Sequence, residues 1–362
     1  MLVCIVHEHA CRIMSSTGIK APIFHYDSSD LNFNINSSEI KKSKLDLLLK
    51  QRWKEAEKCG FLRYRLNITN QRFLGQYKFL LQLNVNRAIN RRIPQNILSM
   101  DQPFDSDQFN FTKIPDREIL FDLGNGDGND IIAVNISPIE WGHSLILIDR
   151  LKGFPQKATK SSLEKSVLLL LLSGSPYLRI IFNSLCAYAS VNHLHWHLYY
   201  LQHEMLLEYA TITKLIGPLY ILVDYPSKGF CLKYSSFKNI ENFVSWTHLI
   251  INFLQEQKIA HNVYITRAKE SSGQTEYNDI RLYIWARKSA LGIKNTESFI
   301  PAVSELFGHI LVRSEDIYDN LTEEEVIQTL DNVTSDIFYS IKAELEKLIQ
   351  KEMTIKNCED SS

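Results

Sequence analysis

Three histidines alternate with apolar residues in the segment His193-Leu194-His195-Trp196-His197. In a β-strand successive side chains point to opposite faces, so this spacing predicts three imidazoles on one face and a core-packed apolar face. Two chemistries fit such a row. Three neutral imidazoles can bind zinc and leave an open position for water. Alternatively, one imidazole can attack a phosphorus atom while its neighbours fix its tautomer. The spacing alone does not decide between them.

A basic cluster, Arg87, Arg91 and Arg92, precedes Pro94. A guanidinium fork matches phosphate oxygens, so the cluster could clamp the diphosphate or base of a nucleotide. A solvated turn is the other interpretation, and charge alone favours it. The whole chain has a net charge of -1, which gives no overall field for nucleic acid or an anionic membrane. Any phosphate binding must therefore depend on local cations.

Two further segments resemble ligand sites only in part. The glycine-rich, acidic segment 122–130 lacks the lysine and hydroxyl residue of a phosphate loop and is not a complete calcium loop. It is predicted to connect two strands. Near the start of the chain, the spacing of Cys4, His7, His9 and Cys11 fits no familiar structural zinc pattern. We expect no metal site in either segment.

The elements around the histidines follow the order strand, strand, helix, strand, strand, which predicts an α+β lobe with an antiparallel sheet. The predicted strands are 79–83, 131–136, 144–148, 178–182 and 191–201, with helices at 40–57 and 161–173. The pattern partly recurs in strands at 220–223, 262–266 and 282–286 and a helix at 240–257. The segment 308–312 also echoes 142–146, which favours two related lobes. We predict a variable leader and first helix (1–55), a triad-bearing lobe (56–215), a second lobe without the triad (216–350) and a tail (351–362).

The cysteine pattern and the lengths of the apolar runs indicate the cellular compartment of the protein. The six cysteines are scattered and form no CxxC pair, which favours reduced thiols in a cytoplasmic protein. His7 and Glu8 interrupt the first apolar run, unlike the core of a secretory signal. The longest aliphatic run, Val167–Leu172, is too short to span a bilayer. These features predict a soluble cytoplasmic protein.

The histidine segment resembles the signature of the histidine triad superfamily. That superfamily places an Asn on the preceding strand and a Ser just before the triad, and Asn183 and Ser190 match those places. The segment 142–146 resembles its Gly-His-x-Leu hairpin. The stretches 109–114, 134–147, 182–201 and 282–294 are similar to the GDP-hexose phosphorylases of animals and plants, and the similarity extends over residues 61–330.

The resemblance implies a fold like that of galactose-1-phosphate uridylyltransferase, with two related lobes that each pack an antiparallel sheet with helices. It implies phosphorolysis of GDP-glucose to GDP and glucose 1-phosphate through a covalent guanylyl-histidine. His195 matches the nucleophile, and His193 and His197 would orient it and stabilise phosphate charge. Asn183 would position phosphate or ribose, and Ser190 would assist with a hydroxyl donor.

The resemblance also places Arg87, Arg91, Arg92 and Lys113 near the substrate. It implies GDP-hexose and inorganic phosphate as partners, and we expect no cofactor and no metal. From the balanced charge and the short apolar runs we expect no nucleic acid and no membrane as partners. A homodimer across a sheet edge fits the superfamily, although two lobes in one chain can make the same contact internally.

Two alternatives stay open. The third histidine, His197, is also typical of nucleotide hydrolases, so a hydrolase or transferase acting on another nucleotide sugar is possible. A non-catalytic nucleotide-binding regulator is the other alternative. The chain also departs from the family pattern at Cys186 and Ala187, where relatives often have Gly, and a side chain there is expected to crowd the loop before the triad.

Overall fold

The structure is a computed structural model that describes residues 21–68, 70–291 and 298–359. The segment that contains Cys4, His7, His9 and Cys11 lies outside the described residues. Seven α-helices occur in the described part of the chain: Lys44–Lys58 (α1), Val85–Asn90 (α2), Lys160–Leu172 (α3), Ile240–Glu256 (α4), Val303–Leu306 (α5), Glu315–Asn320 (α6) and Glu323–Glu359 (α7).

Side-chain caps fix where the main helices begin. Ser43 accepts the Asp46 N–H at 3.1 Å before α1, and Thr159 accepts the Ser162 N–H at 3.1 Å before α3. At α7, the Glu325 carboxylate accepts the Thr322 N–H at 2.9 Å while the Thr322 hydroxyl accepts the Glu325 N–H. This capping box satisfies backbone donors that have no partner inside the helix.

Fifteen β-strands lie in the described residues: Ile35–Asn36 (β1), Asn70–Leu74 (β2), Phe79–Leu83 (β3), Ile119–Asp122 (β4), Ile131–Val134 (β5), Ser144–Leu147 (β6), Leu178–Asn183 (β7), Trp196–Tyr200 (β8), Ile212–Ile216 (β9), Leu219–Leu222 (β10), Phe230–Lys233 (β11), His261–Ala268 (β12), Glu276–Tyr277 (β13), Asp279–Ala286 (β14) and His309–Val312 (β15). The short strands β1, β2, β4, β9, β11 and β13 were not predicted from the sequence.

Ten of these strands form one antiparallel sheet in the order β4-β5-β6-β8-β7-β12-β14-β11-β10-β9. Strands from before residue 201 make one half, and strands from after residue 211 make the other. The halves join where β7 pairs with β12, with Asn183 opposite Asn262. The predicted α+β fold is confirmed, and the two sheets expected of the two lobes are continuous within one chain.

The two faces of this sheet bury different residues. Trp196 and Leu198 belong to the large apolar cluster that also contains residues of α3 and α4. His197 and Tyr199 point to the opposite face because strand side chains alternate. A small sheet, in the order β15-β3-β2, also lies in the structure, and its strand β3 packs in a second cluster with Tyr199. The face that carries His197 is therefore the one available for a site.

Several local expectations differ from the structure. Strand β8 begins only at Trp196, so His193 and His195 lie in the segment that enters it. Strand β15, which resembles β6 in sequence, pairs in parallel with β3 rather than joining the large sheet. The sequence echo therefore does not mark equivalent strands.

The segment predicted as a variable leader contributes to the structure from residue 21 onward. Phe24 is buried in the main apolar cluster, and its N–H donates to the Asp122 carbonyl at 2.8 Å. This contact covers the edge of β4. Cys186 and Cys231 are buried free thiols. Among the described helices, none is long and apolar enough to cross a membrane.

Candidate active site

A cavity of about 220 Å³ lies on the His197 face of the large sheet. His195 and His197 line its wall, together with residues of both halves of the chain. We call His193, His195 and His197 the imidazole row; its last two members line the cavity. We call the region around Phe111 the apolar end and the region around Arg87 the cationic end.

His195 has one ring nitrogen fixed and the other directed into the cavity. Its Nδ1 lies 2.7 Å from the His193 carbonyl oxygen, so Nδ1–H donates and Nε2 keeps its lone pair. Burial lowers the pKa of His195 to about 4. The imidazole is therefore neutral at neutral pH, and its unprotonated Nε2 is a competent nucleophile.

Gln156 holds the backbone at His195. Its Oε1 accepts the His195 N–H at 2.8 Å, and its Nε2 donates to the carbonyl oxygens of His195 and Asn183 at 2.9 and 2.8 Å. The side chain is fully buried. One amide therefore ties the entry to β8 to the end of β7, where strand pairing has stopped.

His193 lies behind His195 and does not line the cavity. Its Nδ1 accepts the Phe111 N–H at 2.9 Å, and its ring stacks on Phe111 with centroids 5.6 Å apart. Arg150 holds Phe111 from the other side, because its Nη1 donates to the Phe111 carbonyl at 3.0 Å. His193 thus acts through its carbonyl and through packing.

His143 fixes the tautomer of His197. Nδ1 of His143 accepts the Ile139 N–H at 3.0 Å, so the neutral ring carries its proton on Nε2. This Nε2 lies 3.0 Å from His197 Nδ1 and 3.1 Å from Asn135 Nδ2. An amide nitrogen cannot accept, so the proton is donated to His197 Nδ1. Nε2 of His197 must then carry a hydrogen, and it faces the cavity as a donor. Burial holds the pKa of both rings well below the usual value.

The loop before the triad is strained. Cys186 and Tyr188 adopt left-handed backbone conformations with φ of 57° and 71°, which costs about 1–3 kcal/mol for each non-glycine residue. Asn262 Nδ2 donates to the Ala187 carbonyl at 3.0 Å, and the Ala290 N–H donates to the Cys186 carbonyl at 2.7 Å. The side chains of Cys186 and Ala187, which were expected to crowd this loop, are accommodated. The two hydrogen bonds hold the backbone in its left-handed conformation.

Asn183 and Ser190 both lie on the cavity wall, as expected from the resemblance. Asn183 Oδ1 accepts Asn262 Nδ2 at 2.6 Å and the Val303 N–H at 3.1 Å. With its oxygen occupied, Asn183 presents its amide hydrogens as donors. The Ser190 hydroxyl has no hydrogen-bond partner in the part of the chain that the structure describes. Both side chains are free to donate to a ligand.

The cationic end consists of Arg87, Arg91 and Arg313 with the buried carboxyl of Glu305. Arg87 Nη1 donates to the Ser137 carbonyl. Burial, followed by the charges of Arg87 and Arg313, lowers the pKa of Arg91. Burial also raises the pKa of Glu305 to about 7. The carboxyl of Glu305 therefore compensates the three guanidinium groups only in part.

Unpaired polar atoms cluster at the cationic end. Within the described ranges, three buried atoms on this wall have no hydrogen-bond partner: Asn84 Nδ2, Ser137 Oγ and Arg313 Nη2. Buried polar groups are ordinarily hydrogen-bonded, so these donors indicate a place for an anionic acceptor. A phosphate has the required oxygens.

The apolar end has a different character. Its side chains pack in one cluster next to His195, and the ring of Phe111 lies 4.9 Å from that of His195. Arg92 turns towards this end, away from Arg91, and its guanidinium lies 3.2 Å from the centre of the Phe109 ring. The cavity residues of this end are Arg92, Phe109, Phe111, Ile114, Glu118, Ala133, Leu145 and Val191.

Eight of the nine residues expected at the site lie at or beside the cavity. The exception is Lys113, which is exposed and donates to the carbonyl oxygens of Asp107 and Gln108 at 3.1 and 2.8 Å. Sequence reasoning missed Gln156, His143, Glu305 and Arg313. Only His143 had a local signal, since it lies in the Gly-His hairpin. Among the described residues, no group of three or more His, Cys, Asp or Glu side chains is arranged to hold a metal ion.

Comparisons with known proteins identify the relatives of the chain. The family model described as "GDPGP1-like, N-terminal domain" matches residues 44–199, and "GDPGP1-like, C-terminal domain" matches residues 210–352. GDP-D-glucose phosphorylase 1 of Danio rerio is 38% identical over 316 residues, which cover 84% of this chain and 91% of the relative. GDP-L-galactose phosphorylase 2 of Arabidopsis thaliana is 28% identical over 348 residues, 88% of this chain and 78% of the relative.

A solved structure supports the fold. Yeast Ap4A phosphorylase Apa2, in complex with Ap4A, aligns with a TM-score of 0.58 and 16% identity over 82% of this chain and 98% of its own. Identity at this level shows a shared fold and nothing further about the ligand.

Proposed function

The chain belongs to the GDPGP1-like family, and we propose that it cleaves GDP-glucose by phosphorolysis through a guanylyl intermediate on His195. The observation that carries this proposal is the hydrogen bond from His195 Nδ1–H to the His193 carbonyl, at 2.7 Å. It leaves Nε2 unprotonated at the centre of a cavity with a cationic end and an apolar end. An attack on phosphorus needs that arrangement.

In the first step His195 Nε2 attacks the α-phosphorus of the nucleotide sugar. A P–N bond forms, and the bond between the α-phosphorus and the oxygen that bridges to the β-phosphorus breaks. Glucose 1-phosphate leaves with that electron pair. Covalent catalysis divides the displacement into two easier steps.

In the second step an oxygen of inorganic phosphate attacks the same phosphorus. The P–N bond breaks, its electron pair returns to Nε2, and GDP leaves. His195 returns to its neutral state without a net proton change on the ring. Because the sugar phosphate leaves before phosphate attacks, the mechanism requires ping-pong kinetics.

The surrounding groups stabilise charge during both steps. The Nε2–H of His197 and the amide of Asn183 are donors beside the reacting phosphorus, and fixed donors lose no energy to reorganisation. The three arginines of the cationic end supply positive charge for the departing sugar phosphate and for the incoming phosphate. This charge replaces the overall positive field that the chain lacks.

The test is a product analysis with GDP-glucose in the presence and absence of inorganic phosphate. We expect GDP and glucose 1-phosphate to accumulate in equal amounts over many turnovers only when phosphate is present. Without phosphate, no GDP should form, and at most one glucose 1-phosphate per protein molecule should be released as the guanylyl intermediate forms. GMP in place of GDP would mean that water is the acceptor and that the protein is a hydrolase. Absence of turnover with guanine and uridine sugars would leave a nucleotide-binding role.

A further inference from the structure

Two charged side chains at the apolar end take no part in the phosphoryl steps. Arg92 lies over the Phe109 ring, and its Nη1 is buried without a hydrogen-bond partner in the described part of the chain. Glu118 ends the short turn Asp116–Glu118, lines the cavity and is half-buried. Within the same described ranges, its carboxylate has no hydrogen bond and no ion pair.

The two groups are close enough to influence each other's charge, yet they do not form an ion pair. Burial lowers the pKa of Arg92 to about 10, and the charge of Glu118 opposes that shift. Burial likewise raises the pKa of Glu118, against the charge of Arg92. Both side chains line the same cavity, next to the apolar side chains of Phe111 and Ile114. A group with only donors and a group with only acceptors therefore face one apolar part of the cavity.

We propose that Arg92 and Glu118 recognise the Watson–Crick edge of guanine, an inference that rests on the proposed function. Arg92 donates to O6, and Glu118 accepts from N1–H and from the 2-amino group. Arginine has only donors and an ionised carboxylate has only acceptors, so the pair complements an acceptor that lies next to two donors. Phe111 and Ile114 provide an apolar surface for the purine ring.

Other bases present a different edge to this pair. Adenine places a donor, its 6-amino group, where guanine has O6, and an acceptor where guanine has N1–H. Uracil has no group that corresponds to the 2-amino donor. Binding either base would leave Arg92 or Glu118 without a partner, and unpaired polar groups in a binding site are strongly unfavourable.

The experiment measures binding of GDP, IDP, ADP and UDP by calorimetry to the full chain and to Glu118→Gln. IDP lacks only the 2-amino group of GDP. We expect the unmodified protein to bind GDP about 10-fold more tightly than IDP, and Glu118→Gln to bring the two affinities to within about 2-fold, because a hydrogen bond to a charged acceptor is lost. Asp116→Asn, an exposed change in the same turn, should keep the 10-fold preference.

Arg92→Met gives an independent measurement if Glu118→Gln fails to fold. GDP and IDP share O6, so this variant should weaken both by a similar factor of about 10 and keep their ratio. An unchanged GDP to IDP ratio in folded Glu118→Gln would overturn the inference, as would an Arg92→Met variant that binds both nucleotides normally.

Binding does not require turnover, which separates this inference from the proposed function. A guanine preference that collapses in Glu118→Gln, in a protein without phosphorolysis, would sustain base recognition and reject the phosphorylase. If instead the protein carries out phosphorolysis and its Glu118→Gln variant keeps the GDP preference, the phosphorylase stands and the proposed base recognition is rejected.

Discussion

The imidazole row, through His195 and His197, borders the same cavity as the cationic end, and the two regions differ in how completely their polar groups are paired. In the row, Nδ1 of each ring has a partner: the Phe111 N–H, the His193 carbonyl and the His143 ring. At the cationic end, Arg91 and Arg313 have no side-chain hydrogen bond or ion pair among the described residues. The Nδ1 atoms of the row have their partners within the protein, whereas the guanidinium groups of Arg91 and Arg313 have none there.

This difference indicates how the two regions work. Fixed tautomers hold the reacting nitrogen ready, and no reorganisation is needed when charge develops. Burial, followed by the charges of Arg87 and Arg313, lowers the pKa of Arg91, so these guanidinium groups lie close enough to repel one another. A bound phosphate removes that repulsion, so the cationic end gains more from the ligand than the row does. Changes in the row should therefore affect kcat, and changes at the cationic end should affect KM.

The largest effect is expected at the row itself. His195→Gln removes the nucleophile, and we expect kcat to fall by at least about 10⁴-fold because the remaining groups only bind and polarise the substrate. Acid-labile guanylyl labelling by GDP-glucose should disappear together with turnover. His25→Gln, a change at an exposed histidine, is the control and should keep both. Labelling that survives in His195→Gln would place the nucleophile elsewhere.

A change at the cationic end should produce a smaller loss of another kind. Arg313→Met removes one guanidinium, and we expect KM for inorganic phosphate to rise about 100-fold with a modest change in kcat. Arg313→Lys restores the charge without the fork and should recover part of the affinity. Arg65→Met, an exposed arginine outside the cavity, should have no effect. If Arg313→Met lowered kcat and left KM unchanged, the cationic end would behave like the imidazole row, and the proposed division of roles would be wrong.

The row could be predicted from the sequence and the cationic end only in part, for a physical reason. Alternation across one strand is a local signal, and it correctly assigned Trp196 and Leu198 to the core. Arg313 reaches the cavity because β15 pairs in parallel with β3, with Val312 opposite Leu83. Such long-range pairing has no local periodicity, so no pattern near residue 313 indicates it.

Gln156 shows the same limit at shorter range. Its single amide bonds to backbone groups of His195 and Asn183, which belong to two different segments. An isolated Gln in a loop carries no sign of such a role.

Arg91 and Arg92 are a third case, since adjacent residues of one cluster lie at opposite ends of the cavity. The charges were visible in the sequence, whereas the turn that separates them was not.

His143 tests whether the tautomers of the row matter. His143→Phe keeps a ring against Tyr199, whose centroid lies 5.5 Å away, but removes the donor to His197. Both ring nitrogens of His143 already have partners within the protein. We therefore expect kcat to fall about 10-fold, with KM for GDP-glucose nearly unchanged, because His143 would act by positioning His197. His143→Gln can still donate an amide hydrogen and should restore part of kcat. A rise in KM instead would assign His143 a binding role.

The smallest effect concerns how the free energy of unfolding changes with pH. The buried imidazoles and the buried carboxyls change it in opposite directions. Burial lowers the pKa of His193, His195 and His261 to about 4, so between that value and about 6.5 the unfolded chain binds more protons than the folded one. Their contribution to stability is complete above pH 6.5 and is lost as the pH falls towards 4. Glu140 and Glu305, with a pKa raised to about 7, have the opposite sign, because the folded chain holds their protons.

The imidazoles outnumber these carboxyls, so we expect the urea midpoint to fall between pH 7 and pH 5. His261→Gln removes one lowered pKa outside the cavity lining and should flatten the slope by up to about 1.4 kcal/mol per pH unit, whatever its effect on absolute stability. Glu305→Gln should steepen the slope instead. A midpoint that rises on acidification would show that the carboxyls dominate, and the view of the row as fully neutral imidazoles would then be wrong.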